Sequence, residues 1–87
     1  MRAKVLELEK KIFDGDVTKI VVPAAEGEMC ILPNHISIMT FLKRGTLKIF
    51  RPEGERPLTV SVDGGVCSFA ENCAVFILNK CEQVPKI

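Results

Sequence analysis

His35 is the one histidine among 87 residues, so nucleophilic catalysis of the usual kind would have to pass through it. Paired with a thiolate it would make a Cys–His nucleophile, and joined to three thiolates it would complete a structural zinc site. The four cysteines, Cys30, Cys67, Cys73 and Cys81, stand 37, 6 and 8 residues apart, with no Cys-x-x-Cys pair. Zinc sites usually take paired close ligands, so this spacing argues against a metal. Cys67 and Cys73 lie in apolar, strand-like contexts, where a free thiol behaves as a small buried hydrophobe. Carboxylates two apart, Glu7 with Glu9 and Glu53 with Glu55, fall in polar surroundings that suit a solvated strand face and a hairpin tip better than an acid–base pair. Neither a Gly-x-x-x-x-Gly-Lys phosphate loop nor a Gly-x-Gly-x-x-Gly turn is present. The expectation is no catalytic residue, no metal site and no cofactor.

The elements that would position these residues are strands. Gly15, Gly27, Gly45, Gly54, Gly64 and Gly65, with Pro23, Pro33, Pro52, Pro57 and Pro85, cut the chain into segments of roughly eight to twelve residues, the spacing of an all-β sandwich or barrel. Leu58, Val60 and Val62 alternate with Thr59, Ser61 and Asp63, and Leu47 and Ile49 alternate with Thr46, Lys48 and Phe50, each pattern predicting a half-buried strand. Further strands are expected from Val5 to Glu9 and from Val17 to Val22. Ile36 to Leu42 and Ala74 to Leu78 are nearly continuous apolar runs, too short for helices of ordinary length and therefore read as interior strands or strands covered on both faces. Arg51 to Pro57 reads as a hairpin loop with Gly54 at its positive-φ position. Lys10 and Lys11 read as a solvated turn. Gly64 and Gly65 imply either a tight reversal or a close approach of two backbones.

Composition narrows the partner classes. Twelve Lys and Arg against eleven Asp and Glu give a formal charge of +1, with the signs interspersed, which does not suit a nucleic-acid partner that needs clustered cations and exposed aromatics. Met1 to Phe13 lacks the apolar core of a secretory signal, so disulfides are not expected. The longest apolar run, Cys73 to Leu78, is six residues, about a third of a membrane-spanning helix; the chain is expected to be soluble and to meet a membrane only through a partner. A lipoyl or biotinyl carrier domain has similar size, but no lysine stands at the tip of either central hairpin. The segment around Met29, Ile31 and Leu32 is open to two readings, an exposed apolar patch for a partner or a strand end at which Ile31 and Leu32 dip into the core.

Five motifs occur in order and spacing across the chain: Ile12 to Gly15; Val17 to Ile20; Gly27 to His35 (Gly-Glu-Met-Cys-Ile-Leu-Pro-Asn-His); Lys43 to Gly45; and Asp63 to Gly65, continued through Asn72 and Val75 to Leu78. Together they resemble the epsilon subunit of F-type ATP synthases over essentially the whole chain, from Val5 to Glu82. The resemblance implies an all-β, two-sheet β-sandwich of about eight to ten strands in one domain spanning residues 1–87, like the N-terminal domain of that subunit. It implies a non-catalytic rotor part of the central stalk that couples c-ring rotation to the gamma subunit during ion-gradient-driven ATP synthesis, peripheral on the cytoplasmic face of a bacterial inner membrane. By the same resemblance Glu26, Gly27, Glu28 and Met29 would face the c-ring polar loops, and His35 and Thr40 would lie toward the gamma subunit. Two carboxylates at i, i+2 could meet polar loops at modest desolvation cost.

The chain departs from the family in four places. Cys30 stands where glycine is usual, Ile36 and Ser37 replace a common Ala-Pro, and Asp63 replaces serine before the double glycine. The sequence stops at Ile87, where the family continues into two α-helices that bind ATP in some members and brake hydrolysis; neither ability is assigned here, and a naturally short form is expected. The alternative function is a free-standing β-sandwich adaptor for an unrelated protein partner.

Overall fold

The computed structural model describes residues 1–7, 10–52, 56–79 and 81–84, the last four by backbone alone. Among them every regular element is a strand: β1 (Arg2–Glu7), β2 (Lys10–Asp16), β3 (Lys19–Ala24), β4 (Gly27–Ile31), β5 (Ile38–Phe50), β6 (Leu58–Ala70), β7 (Cys73–Leu78) and β8 (Cys81–Val84). Hydrogen bonding joins them in the order β2-β1-β7-β6-β5-β3-β4, with β8 on β6. All pairs are antiparallel except β1 with β7.

This continuous sheet makes a sandwich because its long middle strands serve both layers. β7 pairs with residues 65–70 of β6, and β8 with residues 59–62. On the other side β3 pairs with β5 at Phe50, Ile49 and Lys48, then skips to Leu42. One layer therefore holds β2, β1, β7 and the halves of β6 and β5 around Cys67 and Thr40. The second holds β8, the other halves of β6 and β5, β3 and β4. A single core cluster draws Val5, Phe76 and Phe69 from the first layer and Ile20, Ile31, Leu47 and Val60 from the second.

The side facing the core changes phase where the chain passes between layers. β6 buries Leu58, Val60 and Val62, then Gly65, Cys67 and Phe69, so an even series gives way to an odd one across Gly64 and Gly65. Their φ angles of 93° and 143° lie where only glycine sits without cost, and they skip one step of the alternation. A Cβ on Gly65 would clash with the carbonyl oxygen of Ile77. Of the two expectations for this pair, close backbone approach holds; there is no reversal, and β6 runs straight through. β5 makes the same step against β3 beside Pro23, which has no N–H for a ladder bond. A Cβ on Gly45 would lie 2.8 Å from the Pro23 Cβ.

Several expectations need correction. Lys10 and Lys11 open β2 instead of forming a turn, because Leu6 pairs with Lys11 and Glu7 with Lys10 across a bulge after Val5; Leu8, Glu9 and Gly54 lie outside the described residues. The glycine spacing suggested segments shorter than the 13 residues of β5 and β6, since Gly45, Gly64 and Gly65 sit inside strands. The run from Ile36 to Leu42 is not covered on both faces: β5 starts at Ile38, and Met39 and Phe41 are 76% and 71% exposed. That half of β5 has the core on one side only. β7 is interior in sheet order, yet it too is covered on one face, leaving Ile77 54% exposed. The hairpin between β5 and β6 is present, with Ile49 opposite Leu58.

Candidate functional site

Residues 24–31 build an acidic hairpin. β3 and β4 pair from Ile20↔Ile31 to Ala24↔Gly27, leaving Ala25 and Glu26 as a two-residue turn. Gly27 takes φ 136° with nothing within 4 Å of where a Cβ would be, so glycine serves the backbone there and not packing. Glu26 and Glu28 are exposed. Met29 is half-buried and packs against the core, and Ile31 is fully buried. The core-dipping reading of Ile31 and Leu32 therefore holds for Ile31 and fails for Leu32, which is 49% exposed. The hairpin is tied to β5 by Ala24↔Leu42 and by the Ala25 amide, which donates to the Phe41 carbonyl at 2.8 Å.

The connection from β4 to β5 is pinned at one end of the sandwich. Asn34 and Asn72, both at positive φ, bond reciprocally: the Asn34 amide donates to Asn72 Oδ1 at 2.7 Å and Asn72 Nδ2 donates to Asn34 Oδ1 at 3.1 Å. The Asn72 carbonyl also accepts from the Arg2 amide at 2.9 Å. His35 next to it sets its ring edge-on to Phe69, centroids 5.9 Å apart, and its Nδ1 lies 2.8 Å from the Ile36 carbonyl. A carbonyl oxygen only accepts, so Nδ1 carries hydrogen and Nε2 of the neutral ring is left as an acceptor. Thr40 is half-buried, with its hydroxyl donating to the Phe41 carbonyl at 3.2 Å.

The outer face of the first layer carries a row that the sequence pattern hid. Phe41 stands opposite Val66, Val66 opposite Ile77 and Ile77 beside Leu6, so four apolar side chains cross four neighbouring strands. Met39, Ser68, Val75 and Lys4 form the adjacent row. At its margin Arg2 Nη2 and Lys11 Nζ lie 2.9 Å and 3.4 Å from the Asp14 carboxylate. Burial pushes the Asp14 carboxyl up, but Arg2 and then Lys11 and Lys4 outweigh it and hold it below the ordinary value. The outer face of the second layer is more polar, with Thr46, Lys48, Thr59, Ser61 and Asp63 turned away from the core strand partners. Phe41 and Met39 were legible as apolar, but not as outward-facing, because their neighbours Ile38 and Leu42 are apolar too.

The described thiols differ in exposure. Cys67 is fully buried and its thiol is pushed up to about 12 by burial, whereas Cys30 is exposed on β4. Cys30, Cys67 and Cys73 are free thiols. Among the described residues no group of three or more His, Cys, Asp or Glu could hold a metal ion. No helix among them is long and apolar enough to cross a membrane. The arrangement offers contact surface: an acidic hairpin, a fixed ring nitrogen and a dry sheet face.

Comparison with known proteins agrees with that geometry. Residues 1–84 match the family model described as ATP synthase, Delta/Epsilon chain, beta-sandwich domain. The ATP synthase epsilon chain of Neisseria meningitidis serogroup B is 39% identical over 66 residues, 76% of this chain and 47% of that protein. That of Pelagibacter ubique is 53% identical over 57 residues, 66% and 42% of the two chains. That of Pelotomaculum thermopropionicum is 33% identical over 86 residues, 99% and 63%. The chain thus spans about half the length of the first two relatives. A chain in the structure of the Euglena gracilis mitochondrial ATP synthase, OSCP/F1/c-ring, shares the fold with a TM-score of 0.85 at 19% identity, over 93% of this chain and 51% of that one.

Proposed function

The chain belongs to the ATP synthase delta/epsilon-chain β-sandwich family, and from that premise we propose that it is a non-catalytic part of the central stalk, held between the gamma subunit and the c-ring. The observation that carries this reading is the apolar row Phe41, Val66, Ile77 and Leu6 on one outer face. Ile77 and Phe41 are largely exposed there, and exposed apolar area of that kind commonly marks a protein interface. In this reading the gamma subunit covers that face, with His35 and Thr40 at its edge. The hairpin carrying Glu26, Gly27 and Glu28 meets the polar loops of the c-ring; Met29, which packs inward, supports it from below. The location follows from the assembly, peripheral to the energy-converting membrane on the side where gamma stands.

A sandwich suits this work because a torque-bearing part must not shear. β5 and β6 cross between the layers as single strands paired from Ile38↔Phe69 to Ile49↔Leu58 with one gap at Lys43 and Gly64, so the layers cannot slide without breaking those ladders. The reading is tested by affinity purification of the tagged chain from its source cell. Gamma and c subunits should come with it. Their absence, with a different protein captured in stoichiometric amount, would favour the adaptor alternative and overturn the reading.

A further inference from the structure

We propose that the vacant side of β5 at Ile38–Phe41 receives an extended, uncharged segment of the partner that covers the adjoining apolar face, adding a strand to the first layer. The proposal rests on the stalk reading for the identity of that partner, the gamma subunit.

The vacancy follows from the pairings. β3 occupies this side of β5 from Phe50 to Leu42, and the Ala25 amide makes the last contact, on the Phe41 carbonyl at 2.8 Å. The chain then turns away through Glu26 into β4. In an antiparallel strand the N–H and C=O of one residue point to the same side, and the side alternates along the chain. Phe41 directs its carbonyl away from β6, so the Met39 N–H and C=O and the Phe41 N–H face the same open side. β6 is the strand that pairs with residues 38–41.

Every other edge among the described residues is protected in a familiar way. β2 carries Lys10, Lys11, Asp14 and Asp16 along its seven residues; β4 has five residues and Glu28; β8 has four. Charge and shortness are the usual defences against unwanted strand pairing. Residues 36–42 have no charge at all, and Ile36, Met39 and Phe41 are more than two-thirds exposed. An edge left in that state is suited to strand addition, in which backbone groups supply the bonds and alternate side chains the selectivity.

A second copy is the weaker occupant. Self-pairing of residues 38–41 would engage a handful of residues per chain, against the roughly 20–30 a side of a stable interface. A partner already lying on Phe41, Val66, Ile77 and Leu6 adds the edge at little further ordering cost, because the face and the edge share Met39 and Phe41.

The test compares wild type with Met39→Pro and Met39→Val for binding of purified gamma subunit, alongside amide hydrogen exchange of the wild type free and bound. Proline at an open edge position breaks no internal ladder bond, while valine keeps the donor. Met39→Pro should weaken binding about tenfold, and Met39→Val should stay within about threefold, the difference of one hydrogen bond. The Met39 and Phe41 amides should exchange fast in the free protein and slow at least about tenfold in the complex. Gamma binding with those amides still fast and Met39→Pro unimpaired overturns strand addition but leaves the stalk reading standing. Protection that grows with protein concentration in the absence of gamma makes the occupant a second copy. Failure of the wild type to bind gamma overturns both. Should Met39→Pro not fold, the exchange measurement on the wild type decides.

Discussion

Two phenylalanines of the same half-sheet should respond in opposite ways to truncation. Phe41 is 71% exposed and Phe69 is 1% exposed. A phenylalanine offers roughly 200 Å² of surface, so a partner covering Phe41 would remove about 140 Å² from water, worth up to about 3.5 kcal/mol at ~25 cal/mol per Å². Alanine keeps its Cβ in the contact and the interface can relax, so Phe41→Ala should cost about 2 kcal/mol of gamma binding, near thirtyfold in Kd. Its effect on folding should stay within about 0.5 kcal/mol, as for other exposed positions. Phe69→Ala opens a cavity beneath His35 and should cost ~3–5 kcal/mol of stability, a large share of the ~4–13 kcal/mol expected for a chain this long. Calorimetric titration with gamma and thermal unfolding of each variant separate the two quantities. The reasoning fails if Phe41→Ala binds gamma within twofold of wild type, or if it lowers Tm as far as Phe69→Ala does.

Glycine requirements divide the same way: Gly65→Ala adds a clash with the Ile77 carbonyl to a positive-φ penalty, whereas Gly27→Ala meets only the latter, so urea unfolding should show Gly65→Ala the more destabilising by about 1–3 kcal/mol. Glu28→Lys should leave the melting curve within about 0.5 kcal/mol of wild type and weaken co-purification of the c-ring at moderate salt; unchanged recovery would remove the hairpin from that contact. Asp14 is held below the ordinary carboxylate value, so its contribution to stability is full above that range and is lost as pH falls through it. Asp14→Asn should therefore flatten the acid limb of the Tm–pH curve, and an unaltered limb would refute the pairing with Arg2 and Lys11. Iodoacetamide at mildly alkaline pH should modify exposed Cys30 and spare Cys67, whose thiol is pushed up to about 12 by burial; mass spectrometry of the folded and unfolded protein reads the difference.

The sequence made some of this legible and hid the rest for physical reasons. Leu58, Val60 and Val62 were readable as buried because one face of that strand is polar and period 2 is unambiguous. The same rule failed from Ile36 to Leu42, where both faces are apolar, one against the core and one offered outward. A buried strand and a half-buried strand with a binding face have the same composition. Lys10 and Lys11 were misread for the converse reason: charge that protects a sheet edge looks like charge that solvates a turn. Gly64 and Gly65 were recognised as special, but periodicity cannot tell a reversal from a crossing between layers. Glu26 and Glu28 stood out only through the family resemblance, and the β3–β4 hairpin that carries them was not expected; the inward turn of Met29 follows from its alternation with Glu28 and Cys30.

The two proposed contacts are mechanically close even though they were inferred separately. Glu26 follows Ala25, whose amide holds the Phe41 carbonyl, and Ala24 pairs with Leu42. From the acidic hairpin to the apolar row the path is therefore short, running through the turn residue Ala25 and the paired Ala24. A push on Glu26 and Glu28 would reach Phe41 through ladder bonds, and through Leu42 and Gly65 would reach β6 and β7. Loops transmit force poorly because their backbone dihedrals yield, whereas a strand in a ladder moves only with its neighbours. A further strand seated on Ile38–Phe41 would add ladder bonds on the open side of β5 along this path.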